Sequence, residues 1–310
     1  MKFIQDDDYI LLMEDSYGGR FTQDDLKRLA DSGIRTMLSY PFWINIEPQM
    51  GVYSWEETDN TIEKCRKAGI KCLFAAYDKP PKYFPPEWYI HTPEGNVHVG
   101  KFKERVISPW NAEGWAYHLA FLEKFCNKVT ADDVMCWRAV PRGAEAMFPH
   151  DPARPHRQDG PYVETLLKMM LEEQDIFYRH HSSHELWTCL HHAFDHQGTA
   201  GTEHSEMLIR AIRDKFPDFI HYCISYSQFR RGVPGKKENL DEMHRLGLSM
   251  FAGSEYADGL LRNTDKAIAQ GFRGLICGPI MYLTKYRQMQ DWMFDNFAWS
   301  IKRWREAKGV

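Results

Sequence analysis

The chain has 310 residues, 43% hydrophobic and 26% charged, with a formal net charge of −4 and a pI near 6.4. Such a composition describes an ordinary soluble globular protein and excludes a disordered one, and the slight acidic balance excludes a global attraction to nucleic acid or anionic lipid. No run approaches the roughly 18 apolar residues of a membrane span and the start, Met1-Lys2-Phe3-Ile4-Gln5, lacks an apolar signal core, so no membrane or nucleic-acid partner is expected. The chain reads as cytoplasmic, or as secreted if a signal segment had been removed. Arg230-Arg231 with Lys236-Lys237 is the one basic cluster, and it reads as a solvated loop. The seven cysteines are odd in number and lack C-x-x-C spacing, which predicts buried free thiols.

Tyr9–Met13 is a first apolar strand, and Thr22-Gln23-Asp24-Asp25 opens a helix that stops at Gly33. Ile34–Tyr40 is the second strand. The turn of Pro48 and Gly51 follows, and Ser54-x-x-Glu57 reads as a capping box for a helix over Trp55–Ala68, closed by Gly69. Ile70–Tyr77 is the third strand. Ser108-Pro109 would start a helix carrying Trp115, Leu119, Leu122 and Phe125, which leads to a fourth strand at Val134–Val140. Gly160-Pro161 starts the fourth helix, and Leu186–Leu190 is the fifth strand. A helix over Met207–Phe216, a strand at Phe219–Ser225, a short helix at Leu240–Leu246 and a strand at Leu248–Gly253 come next. Thr264–Ala269 is helical, Gly274–Cys277 is the eighth strand, and Met289, Trp292, Met293, Phe297 and Trp299 form the apolar stripe of a last helix. Eight strand-then-helix units without a dividing linker predict an α/β fold, a single (β/α)8 TIM barrel spanning residues 1–310 as one domain.

Barrels of this kind keep their chemistry at the C-terminal ends of the strands, so polar residues just after each apolar run are the candidates. They are Glu14 and Asp15 after the first strand, Trp43, Asn45 and Glu47 after the second, and Asp78 and Lys79 after the third. The fourth offers Arg138, Arg142 and Glu145, and the fifth offers His191, His192, Asp195 and His196. Tyr226 and Gln228, Glu255 and Tyr256, and Tyr282 follow the last three.

The segment Trp43-Ile-Asn-Ile-Glu47-Pro48-Gln-Met-Gly51-Val-Tyr53-Ser-Trp55-Glu-Glu-Thr-Asp59 resembles the loop after the second strand in clan A glycoside hydrolases, most closely the family 42 β-galactosidases. Asp78-Lys-Pro-Pro-Lys-Tyr-Phe-Pro-Pro-Glu-Trp88 resembles their loop after strand three, and Lys266–Gly274 follows their passage from helix seven to strand eight. Their large oligomerisation and C-terminal domains are absent here. The resemblance implies a single catalytic domain that cleaves β-linked glycosidic bonds with two glutamates: Glu145 after strand four as acid/base and Glu255 after strand seven as nucleophile. Retention requires the two carboxyl groups about 5–5.5 Å apart, and inversion a wider gap that admits water. It also implies an oligosaccharide or polysaccharide substrate, no metal and no cofactor. Trp43, Asp78, Trp88, Trp137, Arg142, His191, His192, Tyr226 and Tyr282 would shape the sugar sites, with Tyr226 or an arginine keeping Glu255 ionised. Glu47 reads as structural, since the Glu-Pro turn accounts for it.

Two departures from the family pattern bear on Glu145. Ala144 stands where the family has Asn, so Arg142 or another loop must meet the sugar 2-hydroxyl, and Glu145 lies further beyond Trp137 than usual. Gly143-Ala144-Glu145, followed by an aromatic and Pro, also resembles the acid loop of β-amylases, which invert. Other readings are a metal-dependent hydrolase or isomerase built on His191, His192, Asp195 and His196, a polysaccharide lyase with Tyr226 or a His as base, and a carbohydrate-binding barrel without catalysis. Arg138, Arg142, Arg230 and Arg231 near the mouth raise an anionic glycan as a substrate.

Overall fold

Eight parallel strands close on themselves in the computed structural model: β1 (Ile10–Asp15), β2 (Thr36–Ser39), β3 (Lys71–Ala75), β4 (Val134–Ala139), β5 (Glu185–Cys189), β6 (Ile220–Ser225), β7 (Ser249–Ser254) and β8 (Gly274–Cys277). Each strand pairs with the next in the chain, and β8 returns to β1 with Ile10 opposite Gly274 and Met13 opposite Cys277. The structure describes residues 10–15, 21–39, 41–75, 80–99, 105–129, 134–139, 159–160, 162–180, 185–189, 210–211, 214–216, 220–225, 249–254, 260–272, 274–277 and 289–309. The closed parallel barrel expected from the sequence is present, with every strand within two residues of its expected start.

Helices lie between the strands. Among the described residues these are α1 (Gln23–Asp31), α2 (Trp43–Ile46), α3 (Glu56–Ala68), α4 (Ala112–Lys128), α5 (Tyr162–His180), α6 (Leu260–Ala269) and α7 (Asp291–Lys308). Residues 210–211 and 214–215 are helical between β5 and β6, and the helix expected at 240–246 lies outside the described residues.

Local chemistry explains where the elements start and stop. Thr22 caps α1 through a reciprocal box: its Oγ1 accepts the Asp25 N–H at 3.1 Å, and Asp25 Oδ2 accepts the Thr22 N–H at 2.9 Å. Gly33 ends that helix at φ 100°, and the Ile34 N–H still bonds back to Leu29 at 3.0 Å, so β2 begins only at Thr36 rather than at Ile34. Gly69 closes α3 the same way at φ 70°, and the bond from the Ile70 N–H to Cys65 delays β3 to Lys71.

Two expected caps are corrected. The Ser54–Glu57 box does not form: the Ser54 N–H bonds Ile46 at 2.7 Å, Glu57 accepts from Asn45 at 3.1 Å, and Trp55 takes the cap position without a side-chain bond. For α4 the cap is Asn111, whose Oδ1 accepts the Gly114 N–H at 2.8 Å, while the Ser108 N–H is held by the Trp88 carbonyl at 2.7 Å. Ser108 is drawn into the preceding loop and the helix starts later.

Outside the barrel, Cys72 and Phe74 turn toward the helices. The Cys72 thiol lies 3.9 Å from the Thr61 carbonyl of α3, and Phe74 meets Phe125 of α4 edge-on at 5.7 Å. Cys65, Cys72 and Cys126 are buried free thiols, as expected. The ends of the ring are joined by α7: Met293, Phe297, Ile301 and Trp304 are buried, Ser300 shares a buried 2.7 Å hydrogen bond with Thr264 of α6, and Ile301 packs where a Cβ on Gly33 would sit. The buried stripe of α7 continues past Trp299 through Ser300, Ile301 and Trp304, about one and a half turns further than the sequence pattern marks. No helix among the described residues is long and apolar enough to cross a membrane.

Candidate active site at the barrel mouth

Connections that leave a strand and enter a helix lie at the C-terminal face of the barrel, where barrel enzymes hold their sites. Two of these are described in detail, the one after β2 and the one after β3, and Glu47 joins them. The segment after β2 forms the single turn α2 rather than an open loop, which brings Trp43 and Glu47 onto one side four residues apart.

Glu47 is fully buried, and donors surround its carboxylate. The Trp43 indole N–H donates to Oε2 at 2.6 Å and the Gly51 N–H to Oε1 at 2.7 Å. The Tyr117 hydroxyl, from α4, donates to Oε1 as well. The Tyr83 hydroxyl, from the segment after β3, donates to the Glu47 carbonyl at 2.7 Å. Burial, then the hydrogen bond to Glu47 and its charge, push the Tyr117 phenol well above its ordinary range, and burial followed by the Glu47 charge does the same for Tyr83. Both phenols therefore keep their protons and keep donating through neutral and alkaline pH. A charge buried without such donors would cost several kcal/mol. The carboxylate is thus the point at which the β2 and β3 segments and α4 are tied together.

An aromatic cluster surrounds this knot. Trp43 stacks on Phe121 at 4.4 Å with planes 14° apart and meets the edge of Phe84 at 5.2 Å. Trp88 packs against Phe84 and Tyr117, each at 5.3 Å. Gly114, in the first turn of α4, admits Trp88: a Cβ there would lie 2.9 Å from the Trp88 Cβ and Cγ. Next to it, buried His118 lies 2.8 Å from Glu173 Oε1 on α5, and the Trp115 indole N–H donates to Glu172 Oε2 at 2.5 Å. This polar seam holds α4 to α5 behind the mouth.

Trp43 and Trp88 were expected to shape the sugar sites, and the structure places both inside the rim. They are 2% and 4% exposed, with rings packed on protein. Their size and aromatic neighbours make them the core of the rim rather than its surface. Glu47 takes the structural role read for it, but its partners Tyr83 and Tyr117 were missed. The available signal was a glutamate between Ile46 and Pro48, which requires donors wherever it is buried.

Of the remaining sequence candidates, Trp137 lies in β4 at the register position beside Ala75 of β3. Glu145, Glu255, Asp78, Arg142, His191, His192, Tyr226 and Tyr282 lie outside the described residues, as do Asp195 and His196. In chain order, Glu255 directly follows the last residue of β7, and Glu145 comes six positions after the end of β4. Among the described residues no cluster of His, Cys, Asp and Glu could hold a metal ion.

No protein-family model matches the chain, and no curated protein matches it in sequence. Solved structures do match in fold. The catalytic domain of β-amylase from Paenibacillus polymyxa superposes with a TM-score of 0.64 at 12% identity, covering 98% of this chain and 99% of that one. A β-galactosidase from the psychrophilic Marinomonas ef1 gives 0.63 at 12% identity, covering 97% of this chain and 61% of that one. The tri-modular endo-β-1,4-glucanase B from Bacillus halodurans gives 0.61 at 10% identity, covering 96% and 60%. The chain shares the TIM-barrel fold of these structures. It spans about three fifths of the galactosidase and the glucanase, and nearly all of the amylase domain.

Proposed function

We propose that this protein is a glycoside hydrolase cleaving β-linked sugar with Glu145 as general acid and Glu255 as nucleophile. The observation that carries the reading is the conjunction of a closed parallel barrel, alike over its length to sugar-cleaving barrels, with a glutamate directly after β7 and another soon after β4. In an eight-stranded ring, the fourth and seventh strands stand across the mouth from each other, which suits two carboxyl groups flanking one bond. Glu145 would be kept protonated by burial and by the charge of its partner, and Glu255 ionised by Tyr226 or an arginine. Asp78, Trp137, Arg142, His191, His192 and Tyr282 are proposed to contact the sugar. Neither step uses a metal.

Retention is the reading drawn from the family 42 resemblance. Inversion is the second reading, favoured by the Gly143-Ala144-Glu145 segment and by the likeness to β-amylase, which takes in almost the whole of both chains. A screen of aryl glycosides and oligosaccharides in EDTA tests both. Glu145→Gln and Glu255→Gln should each lower kcat by about a thousandfold or more. Proton NMR of the first-formed anomer separates retention from inversion. Activity indifferent to both changes, or lost on chelation, would overturn the proposal.

A further inference from the structure

We propose that Tyr83, together with the turn at residues 48–52 beside it, forms an outer sugar-binding subsite on the rim of the barrel mouth, for a pyranose unit of an oligosaccharide reaching out of the site. This rests on the glycoside hydrolase reading above and extends it to residues that reading does not use.

Both segments leave the C-terminal ends of neighbouring strands, β2 and β3, so they belong to the face where the chemistry is proposed. Their surface is unusual for a rim. Met50, Val52 and Tyr83 are 49%, 53% and 41% exposed, while the aromatic residues beneath them, Trp43, Phe84 and Trp88, are buried. The hydroxyl of Tyr83 donates to the Glu47 carbonyl, three positions before Met50, which ties Tyr83 to the segment that leads into the turn carrying Met50 and Val52.

Tyr83 is also held in place. Its ring stands on Phe84 edge-on at 5.0 Å with planes 86° apart, and its hydroxyl is fixed at 2.7 Å. With its hydroxyl fixed and 41% of the residue exposed, Tyr83 has little rotamer freedom left to freeze, so binding a flat apolar surface on it costs little ordering entropy. The C–H faces of a pyranose are such a surface, and aromatic stacking with small apolar flanks is the chemistry that recognises them. Exposed Gln49, within the turn, and exposed Lys82, next to Tyr83 in the chain, would supply polar groups for the sugar's edge hydroxyls. The turn itself is rigid: Gln49 and Val52 pair across it, and the Gly51 N–H is held by the buried Glu47 carboxylate.

The test compares chain lengths. Cello-, galacto- and maltooligosaccharides, from disaccharide to hexasaccharide, are titrated by calorimetry and assayed for kcat/KM with wild type, Tyr83→Ala and Tyr83→Phe. In whichever series wild type accepts, Tyr83→Ala should weaken the hexasaccharide by about tenfold and the disaccharide by less than about twofold, and Tyr83→Phe, which keeps the ring but loses the hydroxyl that pins it, should fall between Tyr83→Ala and wild type. Met50→Ser with Val52→Ser, on side chains already exposed, should show the same dependence on length, which keeps the test open if Tyr83→Ala fails to fold. Loss that is equal at every length, or absent at every length, overturns the subsite and leaves the hydrolase reading standing. A wild type that neither binds nor cleaves any series overturns that reading, and the subsite with it.

Discussion

Glu47 shows how one side chain can fix a region. Trp43, Gly51 and Tyr117 all present donors to its two oxygens, so Glu47→Gln must turn its amide group toward at least one of them. The Tyr117 hydroxyl could rotate to accept, but the indole and backbone N–H groups cannot. A loss of about 1–3 kcal/mol is expected in urea unfolding, with Glu47→Asp losing a similar amount by shortening the reach. Trp43→Phe removes one of the conflicting donors, so the double variant should lose less than the sum of the singles. Additive losses would show that the carboxylate is not what holds the indole. Part of this was legible in the sequence: a glutamate in a Glu-Pro turn has a structural explanation ready. Its donors were not, because Tyr117 is 70 positions away and a helical stripe read from Trp115, Leu119, Leu122 and Phe125 does not mark it. The same limit applies to Trp43 and Trp88. Sequence can place an aromatic at the mouth, but whether its face meets sugar or another ring depends on packing between segments far apart in the chain.

At the level of elements, α4 carries the most information, because it ties the rim to α5. Gly114 lies in its first turn, where alanine would ordinarily stabilise a helix by about 1 kcal/mol. Here the added methyl would lie 2.9 Å from Trp88, so Gly114→Ala should instead destabilise by about 1–3 kcal/mol, read as a lowered urea midpoint. A raised midpoint would mean that Trp88 yields easily. Further along, Glu123 clasps α5 through Arg179 at 3.0 Å and His180 at 2.6 Å. Burial pushes the Glu123 carboxyl up, but the hydrogen bonds from His180 and Arg179 outweigh it and hold it below its ordinary value. A carboxyl depressed in the folded state stabilises above its unfolded value, about pH 4.3, and that stabilisation is lost as pH falls through the folded value. The stability gap between wild type and Glu123→Gln should therefore be widest near pH 7 and shrink as pH falls below the unfolded value of about 4.3, measured by urea midpoints across that range. A gap independent of pH would assign the clasp to packing. Element order was readable from periodicity and glycine stops, and Gly33 and Gly69 end their helices where expected. The starts were less readable: Ser54 and Ser108 look like caps, but their backbone groups are taken by Ile46 and Trp88, partners that local pattern does not reveal.

Across the whole molecule, closure explains why the barrel could be read from sequence while the site could be read only as a set of candidates. A parallel ring has one arrangement in which every strand finds two neighbours, and counting eight apolar runs is enough to specify it. The mouth is built from the connections, whose mutual contacts no periodicity encodes. Closure also makes the ring depend on the join between its ends, where β8 meets β1 and α7 packs over α1 and α6. Phe297 is fully buried in the middle of α7, so Phe297→Ala should cost about 3–5 kcal/mol. A ring opened at one seam leaves β1 and β8 each with an unpaired edge, an arrangement with little to stabilise it. The loss should therefore appear as one earlier transition with coincident tryptophan fluorescence and far-ultraviolet circular dichroism, not as the melting of α7 alone. A fluorescence change that precedes the loss of helical signal would mean that α7 is an independent cover on a barrel that can hold itself shut.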